Sequence, residues 1–167
     1  MSKRRKSVKP SYYWDATVFL DLINATKTRL NIIEALLEDC ENGKVAIFTS
    51  VLSIVEVAYV KADGQKPSRM SADQETRIDK LWQPPSPIQL VEAHQRIIFD
   101  ARELVRSAVS RSLKDPWVLK PPDAIHLATA KHLKVNECHS YDSKWPRFAQ
   151  SVGCKICEPH TAQGQLF

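Results

Sequence analysis

Val45-Ala46-Ile47-Phe48-Thr49-Ser50-Val51-Leu52-Ser53-Ile54-Val55-Glu56-Val57-Ala58-Tyr59-Val60 is an apolar stretch of 16 residues with one charge. Its β-branched content argues for strand, yet it is about three times the length of an ordinary one. It must be divided. Thr49 and Ser50 are residue types that cap helix N-termini, so the stretch reads as a buried strand, Val45 to Phe48, feeding a helix from Val51 to about Ala62 that Asp63-Gly64 ends. Strands that alternate with helices along a chain imply a parallel sheet covered on both faces.

The flanking sequence repeats the alternation. Tyr12-Tyr13-Trp14, within Ser11 to Asp15, reads as a first strand; Val18, Phe19, Leu22 and Ile23 suggest a helix turn, and Leu30, Ile33 and Leu37 a second helix ending near Asn42-Gly43. Downstream, Ser71 to Trp82 is a polar helix stopped by Pro84-Pro85-Ser86-Pro87, and Ile88 to Val91 is a short strand. Ile97, Ala101, Leu104 and Ala108 recur at i, i+4, i+7 and i+11, which makes His94 to Arg111 amphipathic. Pro121-Pro122 precedes a nearly apolar helix, Asp123 to Leu133; Glu137 to Ser140 is a strand, Trp145 to Ser151 a short helix and Lys155 to Cys157 a last strand. The fold class that follows is α/β, in three α/β/α layers around a central, mostly parallel sheet of about five strands.

A chain of 167 residues fits one domain and buries roughly 68–70% of its unfolded surface, enough for a core without disulfides. At 43% hydrophobic and 26% charged residues it is neither disordered nor collagen-like. The net charge of +5 is concentrated in Lys3, Arg4, Arg5, Lys6 and Lys9, so we expect a basic tail over residues 1–10 and a single domain over 11–167. Such a block is either solvated or an arm that follows a polyanion such as RNA. No apolar run reaches the roughly 18 residues of a membrane span, and the N-terminus lacks the apolar segment of a secretory signal. A soluble, cytoplasmic protein is expected. Cys40, Cys138, Cys154 and Cys157 are too irregular for a disulfide framework; Cys154 and Cys157 have the C-x-x-C spacing of zinc or redox sites but no second C-x-x-C or H-x3-H pair, so buried thiols are the default and metal or redox use the alternative.

In open α/β sheets ligands bind at the carboxyl ends of the strands, where strand order reverses. Asp15 falls at the end of the first strand, Asp142 just past Ser140, Asp123 at a helix start and Glu56 inside the helix after the second strand. Apolar neighbours surround Glu56 and follow Asp123, and a buried ionised carboxylate costs several kcal/mol unless it is compensated. Either each has its own partner, a cap for Asp123 and an arginine for Glu56, or all four acids surround one divalent cation.

Tyr13-Trp14-Asp15-Ala16-Thr17-Val18-Phe19-Leu20 resembles the opening of PIN domains. Ser50 to Val57 resembles their second motif, Pro122-Asp123-Ala124-Ile125-His126-Leu127-Ala128-Thr129-Ala130 the third, and Ser140-Tyr141-Asp142 the fourth. Order and spacing match over residues 11–158, and the third motif is most like the toxin subunits of VapBC toxin–antitoxin systems. The resemblance implies a PIN-like fold and a Mg²⁺- or Mn²⁺-dependent endoribonuclease, with Asp15, Glu56, Asp123 and Asp142 as the acidic site and Thr17 and Ser140 supporting it. It also implies a small antitoxin partner and a homodimer. Hard oxygen ligands select Mg²⁺ or Mn²⁺ over zinc. The basic tail and the longer middle, Asp63 to Ser71 with the proline stop, depart from the smallest members of the family.

His126, three residues after Asp123, reads as packing against the sheet, with approach to a scissile phosphate as the alternative. Arg96, Arg102 and Arg106 are candidates for an RNA groove or a solvated helix face, and Trp14, Tyr59, Trp117 and Trp145 for core or dimer packing or base stacking. Competing functions are a non-catalytic RNA-binding or scaffold domain and a structure-selective DNA nuclease. A phosphorylated receiver domain fits poorly, because the third strand ends Leu90-Val91-Glu92 without its phosphoacceptor Asp.

Overall fold

The sheet is built around β1, Ser11–Trp14, which pairs in parallel with β2, Ala46–Ser50, on one side and with β4, Glu137–His139, on the other. β3, Ile88–Val91, adds to β2, and β5, Lys155–Cys157, adds to β4, giving the all-parallel order β3-β2-β1-β4-β5. The computed structural model describes residues 9–24, 27–60, 66–111 and 118–161. Lys3, Arg4, Arg5, Lys6, Trp117 and the Asp63-Gly64 helix stop lie outside them. Among the described residues no helix is long and apolar enough to cross a membrane.

Strand alternation sorts side chains into two cores. Trp14, Ile47 and Ile88 face a layer made of α1 (Ala16–Asn24), α2 (Lys27–Glu41) and α4 (Ala72–Trp82). Tyr13, Cys138 and Ile156 face the opposite layer, α5 (Gln95–Arg111), α6 (Pro121–Leu133), a 3-10 turn at Trp145–Phe148 and α7 (Ala149–Val152). All four apolar positions read from the α5 periodicity are buried. Trp82, half-buried, packs its ring 5.0 Å from Phe19 and so belongs to the first core.

Local chemistry sets the boundaries. Gly43, at φ +73°, lets the chain leave α2, its N–H closing on the Cys40 carbonyl at 3.0 Å. Ser71 and Gln74 form a reciprocal capping box at the start of α4. Pro121 and Pro122 occupy the first turn of α6, where their missing N–H groups cost nothing, and Asp123 follows in the same turn.

The division of Val45 to Val60 is where the sequence reading needs correction. β2 runs on through Thr49 and Ser50, in register with Leu90 and Val91, and the helix that follows, α3, spans only Leu52–Glu56. The two hydroxyl residues divide the work at the strand end: Thr49 Oγ1 donates to the Trp14 carbonyl at 2.7 Å, while Ser50 Oγ accepts the N–H of Leu52, the first residue of α3, at 3.2 Å. Nor is the helix buried all round. Val55 is 73% exposed and Ile54 41%. β-branched Val51, Ile54, Val55 and Val57 are mediocre helix formers, which favours one short turn over a long helix.

Candidate active site

Strand order turns at β1, whose neighbours β2 and β4 lead away in opposite directions, so a crevice opens beyond the carboxyl ends of β1 and β4. Asp15 is the first residue past β1 and is buried at 3% exposure. Both of its oxygens are engaged: Oδ1 accepts the Thr17 N–H at 3.0 Å and the Thr17 hydroxyl at 2.5 Å, and Oδ2 accepts the Ser140 hydroxyl at 2.6 Å from across the crevice. Burial raises its pKa from 3.8 to about 6, against the lowering pull of the Ser140 and Thr17 hydrogen bonds.

Asp123, in the first turn of α6, and Glu56, at the end of α3, line the same cleft of about 220 Å³ with Asp15, Thr17, Tyr59 and His126. The pKa of Asp123 is raised, first by burial and then by the charge of Asp142. Asp142 does not line the cleft. It follows β4 at the rim, where its Oδ1 accepts the Lys144 N–H at 2.8 Å and its own N–H donates to Ser140 Oγ at 3.0 Å. Ser140 thereby couples the Asp142 backbone to the Asp15 carboxylate. Three of the four acids meet in one cleft, and the fourth acts on Asp123 from its edge.

Glu56 has a partner that the sequence reading did not assign to it. Its Oε2 lies 2.5 Å from His126 Nε2, and His126 Nδ1 lies 2.6 Å from the Tyr13 hydroxyl. The Ser50 N–H donates to that hydroxyl at 3.1 Å, so the phenolic proton goes to Nδ1 and the imidazole proton sits on Nε2, facing the carboxylate. Burial holds Tyr13 well above its ordinary pKa, which keeps it a donor. Neither a bare sheet contact nor an arginine partner describes this arrangement. The available signal was a buried strand tyrosine, whose hydroxyl requires a partner, opposite a buried helix histidine.

Among the described residues, none of the candidate RNA contacts lines this cleft. Lys9, Arg96, Arg102 and Arg106 are exposed, and Arg106 pairs with Glu103 at 2.9 Å. Of the aromatic candidates, Trp14 is buried and donates to His139, Trp145 is buried beneath the cleft, and Tyr59 is 40% exposed at its mouth.

Residues 12–150 match the PIN domain family, and the chain belongs to it. No curated protein matches the sequence. Solved structures share the fold over most of its length. VapBC2 from Rickettsia felis, bound to a DNA fragment from its promoter, aligns at TM-score 0.57 and 13% identity over 90% of this chain and 99% of that one. A toxin–antitoxin complex from Klebsiella pneumoniae aligns at 0.56 and 20% identity, over 89% and 98%. FitAcB from Neisseria gonorrhoeae aligns at 0.56 and 13% identity, over 89% and 97%.

Proposed function

We propose that the protein is a Mg²⁺- or Mn²⁺-dependent endoribonuclease that hydrolyses RNA phosphodiester bonds, with Asp15, Glu56, Asp123 and Asp142 as its acidic site. The observation that carries this reading is the convergence of carboxylates from β1, α3 and α6 on one cleft, two of them with raised pKa values. Like charges that share one cleft favour a cation. The donor set fits a hard divalent ion such as Mg²⁺, because the four acids offer only oxygen. Asp15 and Asp123 would hold the ion most directly, with Glu56 and Asp142 directly or through water. Bound there, the ion supplies charge neutralisation at the phosphoryl oxygens and acidifies a water.

The chain's own residues do the positioning. Thr17 and Ser140 fix both Asp15 oxygens, His126 fixes Glu56, and Tyr59 offers an exposed ring to a base at the cleft mouth. Lys3, Arg4, Arg5, Lys6, Lys9, Arg96, Arg102 and Arg106 are the proposed phosphate contacts.

The toxin–antitoxin complexes among the structural neighbours support a role as the toxin of a type II pair, active in the cytoplasm and held by a small antitoxin. Exposed Ile98, Phe99 and Val109 on α5 support a protein-covered surface, either antitoxin or a second copy. Cleavage of a mixed RNA pool by the purified chain tests the enzyme reading. Activity abolished by EDTA, restored by Mn²⁺ and lost in Glu56→Gln and Asp123→Asn with the fold intact is the expected result. RNA binding without cleavage would identify a scaffold, and cleavage confined to DNA would reassign the substrate.

A further inference from the structure

The β4–β5 edge of the sheet carries a second cluster that the acidic cleft does not use. Glu137 and His139 alternate with Cys138 on β4 and so face the layer opposite to it; Cys157 ends β5 beside them, and His160 follows shortly after. One ligand atom from each of these four residues lies within 4.8 Å of the others, and among the described residues no other group of three or more His, Cys, Asp and Glu side chains closes this far. Glu137 Oε2 is at the centre, 3.1 Å from His139 Nε2, 2.8 Å from His160 Nε2 and 3.8 Å from Cys157 Sγ, while Oε1 faces Lys155 Nζ at 3.3 Å.

We infer that Glu137, Cys157 and His160 form a second metal site, selective for Zn²⁺ or a similar borderline divalent ion, with His139 supporting Glu137 from behind. The donor chemistry makes the selection. A thiolate, an imidazole and one carboxylate suit zinc, whereas the four acids of the first site offer oxygens alone. Zinc in tetrahedral coordination needs ligand atoms about 3.2–3.8 Å apart; Glu137 Oε2 and Cys157 Sγ already stand at 3.8 Å, and Glu137 Oε2 and His160 Nε2 would open from 2.8 Å as the ion replaces their hydrogen bond. His139 is excluded as a ligand by its partner: the Trp14 indole N–H donates to His139 Nδ1 at 3.1 Å, which places the His139 proton on Nε2 and directs it at Glu137. A hydrogen-bond donor behind a ligating carboxylate is the usual support for a metal site. Ligation through His160 Nε2 shifts that nitrogen's proton to Nδ1, which is buried without a hydrogen-bond partner among the described residues and so is free to carry it. On binding, Cys157 releases its thiol proton to solvent and the ion keeps its charge. Cys154, packed against the Cys138 core on the other side of the sheet, takes no part, so the C-x-x-C spacing does not describe the chelate.

Such an ion would tie the edge strand and the chain beyond it to β4. The Ser140 N–H donates to the Cys157 carbonyl at 3.0 Å, and Ser140 Oγ holds Asp15, so the ion would also steady the strand pair from which the acidic site is supported.

Titration with Co²⁺, as a spectroscopic substitute for zinc, tests the site in the full chain and again in Asp123→Asn, where the acidic cleft has lost a donor. The expected result in both is one equivalent that develops a thiolate-to-cobalt charge-transfer band, displaced by Zn²⁺, with Zn²⁺ raising the Tm. The band should vanish in Cys157→Ser, and His139→Gln should keep it while weakening affinity by about 10–100-fold. Absence of the band from the wild-type chain overturns the inference whatever the variants do, and a band that survives Cys157→Ser overturns it by assigning the thiolate elsewhere. Neither outcome bears on RNA cleavage.

Discussion

Replacing Asp15 with Asn probes the acidic site without any substrate. Asp15 accepts three hydrogen bonds, and burial still moves its pKa from 3.8 to about 6. An acid whose pKa is higher in the folded state than in the unfolded one favours folding when protonated. In EDTA, therefore, wild-type stability contributed by this group is fully present below about pH 4 and is lost as the pH rises through about 6. The interval between 3.8 and about 6 is worth about 3 kcal/mol at pH 7.

Asn has no charge to bury. Its Oδ1 can keep both Thr17 bonds, and its amide faces Ser140 Oγ, which turns to accept it; the weaker pairing costs about 1 kcal/mol. The variant should then be about 2 kcal/mol more stable than wild type at pH 7 and about 1 kcal/mol less stable below pH 4. At about 2–4 °C per kcal/mol for a chain of this size, that is a Tm about 4–8 °C higher at neutral pH, with the order reversed in acid. Scanning calorimetry from pH 3.5 to 8 in EDTA reads both ends of the curve. Mg²⁺ or Mn²⁺ should raise the wild-type Tm at pH 7 and leave the variant nearly unchanged. Parallel curves for the two proteins, or a variant less stable at pH 7, would refute the claim that Asp15 is a desolvated acid awaiting a cation.

Tyr13→Phe leaves the Ser50 N–H and His126 Nδ1 buried without a partner, so the urea midpoint should fall by the equivalent of about 1–3 kcal/mol and kcat should drop more than KM changes; an unchanged midpoint would contradict the hydrogen-bond chain. Tyr59→Ala should raise the KM for RNA while sparing kcat, since one base stacked on an aromatic ring is worth about 1–3 kcal/mol, and steady-state kinetics on a short RNA separates the two. If all five tail cations contact single-stranded RNA, deleting residues 1–10 should flatten log K against log salt by about 3.5, which is about a 100-fold affinity difference between 50 and 200 mM salt. Equal slopes in binding titrations of the full and shortened chains would mean that the tail is merely solvated.

The elements that reached the structure intact were those with a strong local signal: the α5 periodicity, the Ser71 start, the Gly43 exit and the proline-led start of α6. Glu56 lines the cleft, but not from a helix buried on every side. Its helix is one short turn with an exposed outer face, and the cost of desolvation falls on Asp123 and on Asp15, which local sequence marks only as a strand end. Burial of a single carboxylate depends on what crosses over it, here Ser140 from 125 residues away, and no window of sequence contains both.

Separation along the chain hides the second cluster in the same way. Glu137, His139, Cys157 and His160 share no recognisable spacing, because β4 and β5 are neighbours in the sheet and not in the chain. The motif that is visible there, C-x-x-C, joins residues an odd number of positions apart, and an extended strand sends such side chains to opposite faces. Alternation along β4 does the rest: Cys138 enters one core, while Glu137 and His139 turn to the other face beside Cys157, and the next residue, Ser140, reaches Asp15. Seven residues on two adjoining strands and their exits, Glu137, Cys138, His139, Ser140, Asp142, Cys157 and His160, thus serve a core, an oxygen site and a mixed sulfur–nitrogen cluster, divided among them by the pleat and the strand register.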